Sequence, residues 1–216
     1  MSYKLLIPAL MLTTSSMSAL AAPIYLNESN ISVSVGQGTS AGSFNNTFSN
    51  GNTIQKVIDA PNADAAEFHN QGTHIWFTAD AIGGGLELLF DFGTEYDLNT
   101  LHFWNYTAES YDVDNISFSF FDSSNSAVGS LSVSPDLGSS PGIYAQDIAL
   151  SAPLNVQYVT AFLTGSNRQV DFQNIGFTAE LSDPKPVSES SVFGLLGVAF
   201  AAMIARRRRT RTSGTY

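Results

Sequence analysis

Apolar and polar residues alternate in short runs through the middle of the chain, the period of a half-buried strand. Ile31-Ser32-Val33-Ser34-Val35 and Ile116-Ser117-Phe118-Ser119-Phe120-Phe121 show the pattern most clearly. Thr73-His74-Ile75-Trp76-Phe77-Thr78 and the runs 86–92, 101–104, 129–133, 143–150, 158–163 and 175–181 are also short and rich in aromatic and β-branched residues. Gly83-Gly84-Gly85, Asn50-Gly51, Pro135-Asp136 and Pro141-Gly142 supply turns between them. Helical periodicity is confined to one turn at 63–68, and no internal repeat is visible. The spacing predicts an all-β, two-sheet sandwich with a core between residues 24 and 181. Residues 36–51, rich in Gly, Ser and Asn, read as a loop within that domain.

The pattern changes at both ends. Lys4 precedes a mostly apolar stretch at 5–20, and Ala19-Leu20-Ala21 fits a small-x-small cleavage site. Pro8 and Thr13-Thr14-Ser15-Ser16 argue against a stable membrane helix there, so residues 1–21 are expected to be a signal peptide. At the other end, Asp183-Pro184-Lys185-Pro186 opens a polar hinge, residues 192–205 are apolar, and Arg206-Arg207-Arg208-Arg209-Thr210-Arg211 follows. Fourteen residues make a helix of about 21 Å, against roughly 30 Å of bilayer hydrocarbon. The arginines hold their end in the cytoplasm. The segment 183–216 is therefore expected to tether a precursor to the membrane for sorting; the alternative is a single-pass anchor with a basic stop.

These ends change the meaning of the charge. The 216-residue chain carries −10, but once Lys4 and the five arginines at 206–209 and 211 are set aside, only Lys56, Arg168 and Lys185 stand against nineteen acids, a net −16. Nucleic acid is excluded as a partner, because phosphate binding needs clustered cations. The acidity favours solubility and offers carboxylates to divalent cations. With no cysteine, an exported domain has no disulfides and must be held by packing.

Two resemblances add to this reading. Val187-Ser188-Glu189-Ser190-Ser191, the apolar run and the Arg cluster together resemble the PEP-CTERM sorting signal of Gram-negative bacteria that export polysaccharide. Both prolines of that family's Val-Pro-Glu-Pro-Ser motif are serine here. The resemblance implies processing by an exosortase, a membrane protease, and a place in the cell envelope or extracellular matrix. The second resemblance covers residues 50–181. Val57-Ile58-Asp59, the Trp76 strand, Asp91-Phe92-Gly93, Trp104-Asn105-Tyr106, the strand 156–163 and Val170-Asp171-Phe172-Gln173-Asn174-Ile175-Gly176-Phe177 follow one another in this order. The order is similar to the galactose-binding-like, discoidin-type (coagulation factor type C) jelly roll.

That family mostly binds glycans without catalysis, and many members carry a structural calcium. The resemblance implies calcium ligands at Asp59 and Asp64, with Glu67 nearby and Asn174 where the family has Glu. Sugar recognition needs an aromatic face and planar hydrogen-bonding groups. Tyr106, Glu109 and Tyr111 in one loop and Asn167 and Arg168 in another are the expected glycan ligands, while Trp76 and Trp104 are expected in the core.

Other chemistry carries less weight. Gly38-Thr39-Ser40-Ala41-Gly42 matches G-x-S-x-G without the strand-to-helix turn a nucleophile elbow needs. His69 and His74, five apart, with His102 further on, lack a helical metal-ligand spacing, and zinc is not expected. Asp112 and Asp114 are the carboxylates a glycosidase would use. The expectation is an exported, non-enzymatic carbohydrate-binding protein of a polysaccharide matrix. The alternatives are a structural or adhesive coat protein and, behind that, a glycosidase.

Overall fold

The computed structural model describes residues 22–44, 54–69 and 74–182. Both terminal segments, including the expected sorting motif, lie outside the described residues. Among the described residues there are nine antiparallel strands, β1 (Ile24–Leu26), β2 (Ser32–Val35), β3 (Gly42–Phe44), β4 (Ile75–Ala79), β5 (Gly85–Asn105), β6 (Asn115–Phe121), β7 (Ala127–Val133), β8 (Gln146–Thr164) and β9 (Gln169–Leu181). A 3-10 helix spans Ile54–Ile58. The helical turn expected at 63–68 does not form, and that stretch is a turn followed by a bridge from Glu67 to Ile143.

The expected sandwich is present, but two of its strands are longer than the alternation suggested. The runs at 86–92 and 101–104 belong to the single strand β5, and β8 takes in 146–150 and 158–163. The first half of β5 pairs with β2 and with the end of β8; its second half pairs with the start of β8 and with β9. Each of these long strands therefore passes from one layer to the other. One layer runs β2, β5, β8, β6, β7. The other runs β8, β5, β9, with β4 and β1 along the far edge of β9 and β3 beyond β4.

The corner in β5 is visible in its chemistry. Pairing with β8 is interrupted between Asp91 and Tyr96. Within that gap Gly93 takes φ 71°, a left-handed conformation that favours glycine, and its N–H donates to Asp91 Oδ1 at 2.8 Å. Asp91-Phe92-Gly93 is thus a local device for turning a strand. Phe92 remains in the core, 5.0 Å from the ring of Phe177, which also meets Phe90 edge-on at 5.1 Å. β4 shows the alternation plainly, with Ile75, Phe77 and Ala79 buried and Trp76 and Thr78 partly exposed on its other face.

The 3-10 helix and two strands were unforeseen. β1 pairs with β9 through Ile24↔Ala179, and β3, inside the stretch read as a loop, pairs with β4 through Ser43↔Thr78. Both are three residues long, too short to show a period.

Candidate functional site

β4 and β9 pair with Ile75 opposite Phe172, Trp76 opposite Asp171 and Phe77 opposite Val170. Directly opposed residues share a face of the sheet. Ile75, Phe77, Val170 and Phe172 take the core face, so Trp76 and Asp171 lie together on the other face. His74, two residues before Trp76, belongs on the same side. The loop after β5 covers this face, and Tyr111 accepts a hydrogen bond from the Asp171 N–H at 2.9 Å. The result is a pocket of about 290 Å³ lined by His74, Trp76, Tyr106, Tyr111 and Asp171. Trp76 and Tyr111 meet edge-on at 6.3 Å, as do Tyr106 and Tyr111. His69 stacks on His74 at 4.8 Å and tilts against Tyr106 at 4.7 Å.

Asn105 sets the position of the covering loop. Its Oδ1 accepts the N–H groups of Tyr106 and Val113, each at 2.9 Å. Its Nδ2 donates to the carbonyls of Val113 and Asp136 at 3.0 Å, and more distantly to Asp112 Oδ2 at 3.4 Å. One buried amide thereby ties both ends of the 106–113 loop to the neighbouring 134–145 segment. That segment approaches so closely that a Cβ at Gly138 would meet the Asn105 carbonyl. The Trp-Asn-Tyr strand end noted in the sequence has its physical content here: tryptophan for the core, asparagine for the loop, tyrosine for the pocket.

Burial dominates the electrostatics. Asp171 is 4% exposed, and burial pushes its carboxyl up to about 8, so it is largely protonated at neutral pH. Burial lowers His74, with His69 adding to the effect, and burial also lowers His69. The Tyr106 phenol is raised by burial, then by Asp171 and Tyr111. At neutral pH the pocket therefore presents neutral imidazoles, phenols and an indole around a carboxylic acid.

The residues expected to bind glycan divide. Tyr106 and Tyr111 line the pocket. Glu109 is exposed in the same loop, outside the lining set. Asn167 donates to the Ser110 carbonyl at 3.4 Å, and the Arg168 guanidinium donates to the Asp80 carbonyl at 3.0 Å. Trp76 corrects the sequence reading: it is half-buried in the pocket, while Trp104 is fully buried and donates its indole N–H to the Ala65 carbonyl. Alternation already set Trp76 opposite in phase to Ile75 and Phe77, and that was the signal available. Asp171, unremarked among apolar neighbours, had no such signal.

The remaining candidates have structural work. Asp112 faces Asn105, and Asp114 Oδ2 accepts the Ser166 N–H. His102 lies apart from the other two histidines, between Asp147 at 2.7 Å and Thr178 at 2.8 Å. Ser40 Oγ accepts the Gly85 N–H, and the segment runs into β3, so no nucleophile elbow exists there.

Of the expected calcium ligands, Asp59 and Asn174 are brought together. The Asn174 Nδ2 donates to Asp59 Oδ1 at 2.6 Å and to the Lys56 carbonyl at 3.1 Å. Asp64 is exposed in a turn, where its N–H donates to Asn62 Oδ1 at 3.0 Å. The Asn174 amide thus donates to two oxygens of this loop, while its own Oδ1 is buried with no hydrogen-bond partner among the described residues. A calcium cage needs six to eight oxygens turned to one point; of the expected ligands Asp59 and Asn174 meet here, and Asp64 is bonded within its own turn.

Asn105→Ala should destabilise the domain by about 2–4 kcal/mol through lost and orphaned buried hydrogen bonds, read by chemical denaturation; a change below about 0.5 kcal/mol contradicts the anchoring role. Burial, then Asp114 and Glu109, raise Asp112 from its ordinary 3.8 to about 6. The native state then holds that proton to higher pH than the unfolded chain, so this contribution to stability is complete below pH 3.8 and is lost as pH rises through 6. The melting temperature of Asp112→Asn relative to wild type should accordingly increase from pH 4 to pH 7, and an equal offset at both contradicts the assignment.

No protein-family model matches the sequence, and no curated protein is significantly similar to it. Among solved structures the chain is similar to the F5/8 type C domain of a Bacteroides fragilis protein, at 12% identity and a TM-score of 0.50, covering 73% of this chain and 97% of that one. It is also similar to the family 32 carbohydrate-binding module of C. perfringens NanJ, solved with galactose, at 9% identity and a TM-score of 0.48, over 73% of this chain and 99% of the module. The lectin domain of lectinolysin, solved with Lewis b antigen, is a third, at 13% identity and a TM-score of 0.42, over 73% and 100%. At these identities the likeness concerns the fold alone: the described residues form an antiparallel β-sandwich similar to that of the Bacteroides fragilis F5/8 type C domain.

Proposed function

We propose that this protein is an exported, non-catalytic module that binds the glycan of a polysaccharide matrix in the pocket between β4, β9 and the 106–113 loop. The observation that carries the reading is the pocket wall, with Trp76, Tyr106 and Tyr111 around the polar His74 and Asp171. Aromatic faces take the C–H side of a pyranose ring, and the neutral imidazole and carboxylic acid supply directional hydrogen bonds to hydroxyls. A protonated Asp171 donates where a carboxylate could only accept. A net −15 over residues 22–182, with Lys56 and Arg168 against seventeen acids, favours a neutral saccharide over an anionic one, because like charges repel.

The sorting part of the proposal rests on sequence. The signal peptide directs export, and the segment 183–216 holds the precursor at the inner membrane of a Gram-negative cell for an exosortase-type enzyme. Mature protein would then join the envelope or extracellular matrix. The proposal assigns no role to calcium.

Titration of the purified protein against a panel of neutral and acidic polysaccharides tests the binding. A neutral glycan should bind, Trp76→Ala and Tyr111→Ala should each weaken binding at least tenfold with folding retained, and Arg168→Ala should stay within threefold. No binding across the panel by a cooperatively melting protein would contradict the proposal and favour a structural coat role. Release of reducing ends would contradict the non-catalytic assignment.

A further inference from the structure

Three side chains at the edge of the pocket carry metal-ligating atoms that converge. One ligand atom each from His69, His74 and Asp171 lies within 4.8 Å of the other two. The imidazoles of His69 and His74 are stacked with 15° between their planes. Asp171 and His74 are 4% and 2% exposed, and Asp171 Oδ1 has no hydrogen-bond partner among the described residues. Of the Lys and Arg side chains in the described residues, Arg168 donates to the Asp80 carbonyl and Lys56 acts on Asp59 and Glu67. A buried carboxyl oxygen with no partner is costly, and a cation held beside it would compensate.

We infer that His69, His74 and Asp171 form a site for a divalent transition metal of the zinc class, with its remaining coordination positions open to the pocket. Two imidazoles and a carboxylate are a donor set for zinc, cobalt or nickel, whereas calcium and magnesium take oxygen donors. Bonds of about 2.0–2.2 Å set tetrahedral ligand atoms roughly 3.3 Å apart. Side-chain rotations of the order of an ångström therefore close the present arrangement around an ion. Three protein ligands leave a fourth position, which a water or a saccharide hydroxyl can fill. The spacing in sequence hides the site: His69 and His74 are close, but Asp171 reaches them only through the pairing of Trp76 with Asp171. The inference goes beyond glycan binding and does not rest on it.

Metal-free protein titrated with zinc in the absence of any saccharide, by calorimetry, tests it, with cobalt as a spectroscopic substitute. The expected result is one ion per chain with a micromolar or tighter Kd and a visible cobalt absorption band. His69→Ala and Asp171→Asn should each weaken zinc at least tenfold. His69 is outside the packed core, so its variant remains informative should Asp171→Asn fail to fold. Absence of saturable zinc binding, or a zinc affinity that His69→Ala leaves within twofold, would overturn the site. Because no saccharide is present, failure to bind zinc leaves the glycan proposal standing, whereas zinc binding would engage His74 and Asp171 of the same pocket.

Discussion

The pocket depends on a register shift in β9. Opposite Trp104 and Asn105 of β5, the partners on β9 step from Asn174 to Phe172, so Gln173 is an extra residue in that strand. A slip of one residue exchanges the faces of a strand. On one side of the bulge Val170 and Phe172 point into the sandwich, and on the other Ile175, Phe177 and Ala179 do so. An uninterrupted strand could not bury both sets. The bulge keeps the core continuous through the whole of β9 and leaves Asp171 on the opposite face, beside Trp76.

That placement would expose a sheet face if nothing covered it. The 106–113 loop covers it, and the hydrogen bonds of Asn105 hold the loop there. A buried amide with its groups satisfied rigidifies its surroundings, whereas a half-satisfied one destabilises them. The loop backbone is thus fixed by the scaffold, which leaves the tyrosine side chains to form the wall. Binding walls preorganised in this way lose little conformational entropy when a ligand arrives.

Period-two alternation in 31–35, 75–79 and 116–121 made the sandwich legible, because each face of those strands meets a different environment. It was silent on sheet-switching: a strand that bends between layers keeps its alternation, and only Gly93 marks the bend in β5. The site was legible in half. Tyr106 and Tyr111 lie in a loop rich in turn residues and read as ligands. The meeting of Asp171 with His74 was not readable, since it comes from the cross-strand pairing of Trp76 with Asp171, 95 residues apart in sequence, which no local pattern encodes. Arg168 stood out for its charge, and one N–H of its guanidinium donates to the Asp80 carbonyl, outside the pocket lining.

The chain's two tryptophans give the central claim a direct readout. Trp76 lines the pocket, and Trp104 is sealed behind Ala60 and Ile143 with its N–H bonded. Tryptophan emission should therefore shift saturably as a bound glycan covers Trp76, and Trp76→Phe should abolish the shift. Calorimetric binding of a glycan with emission unchanged in the wild-type protein would place the binding site elsewhere and contradict the account.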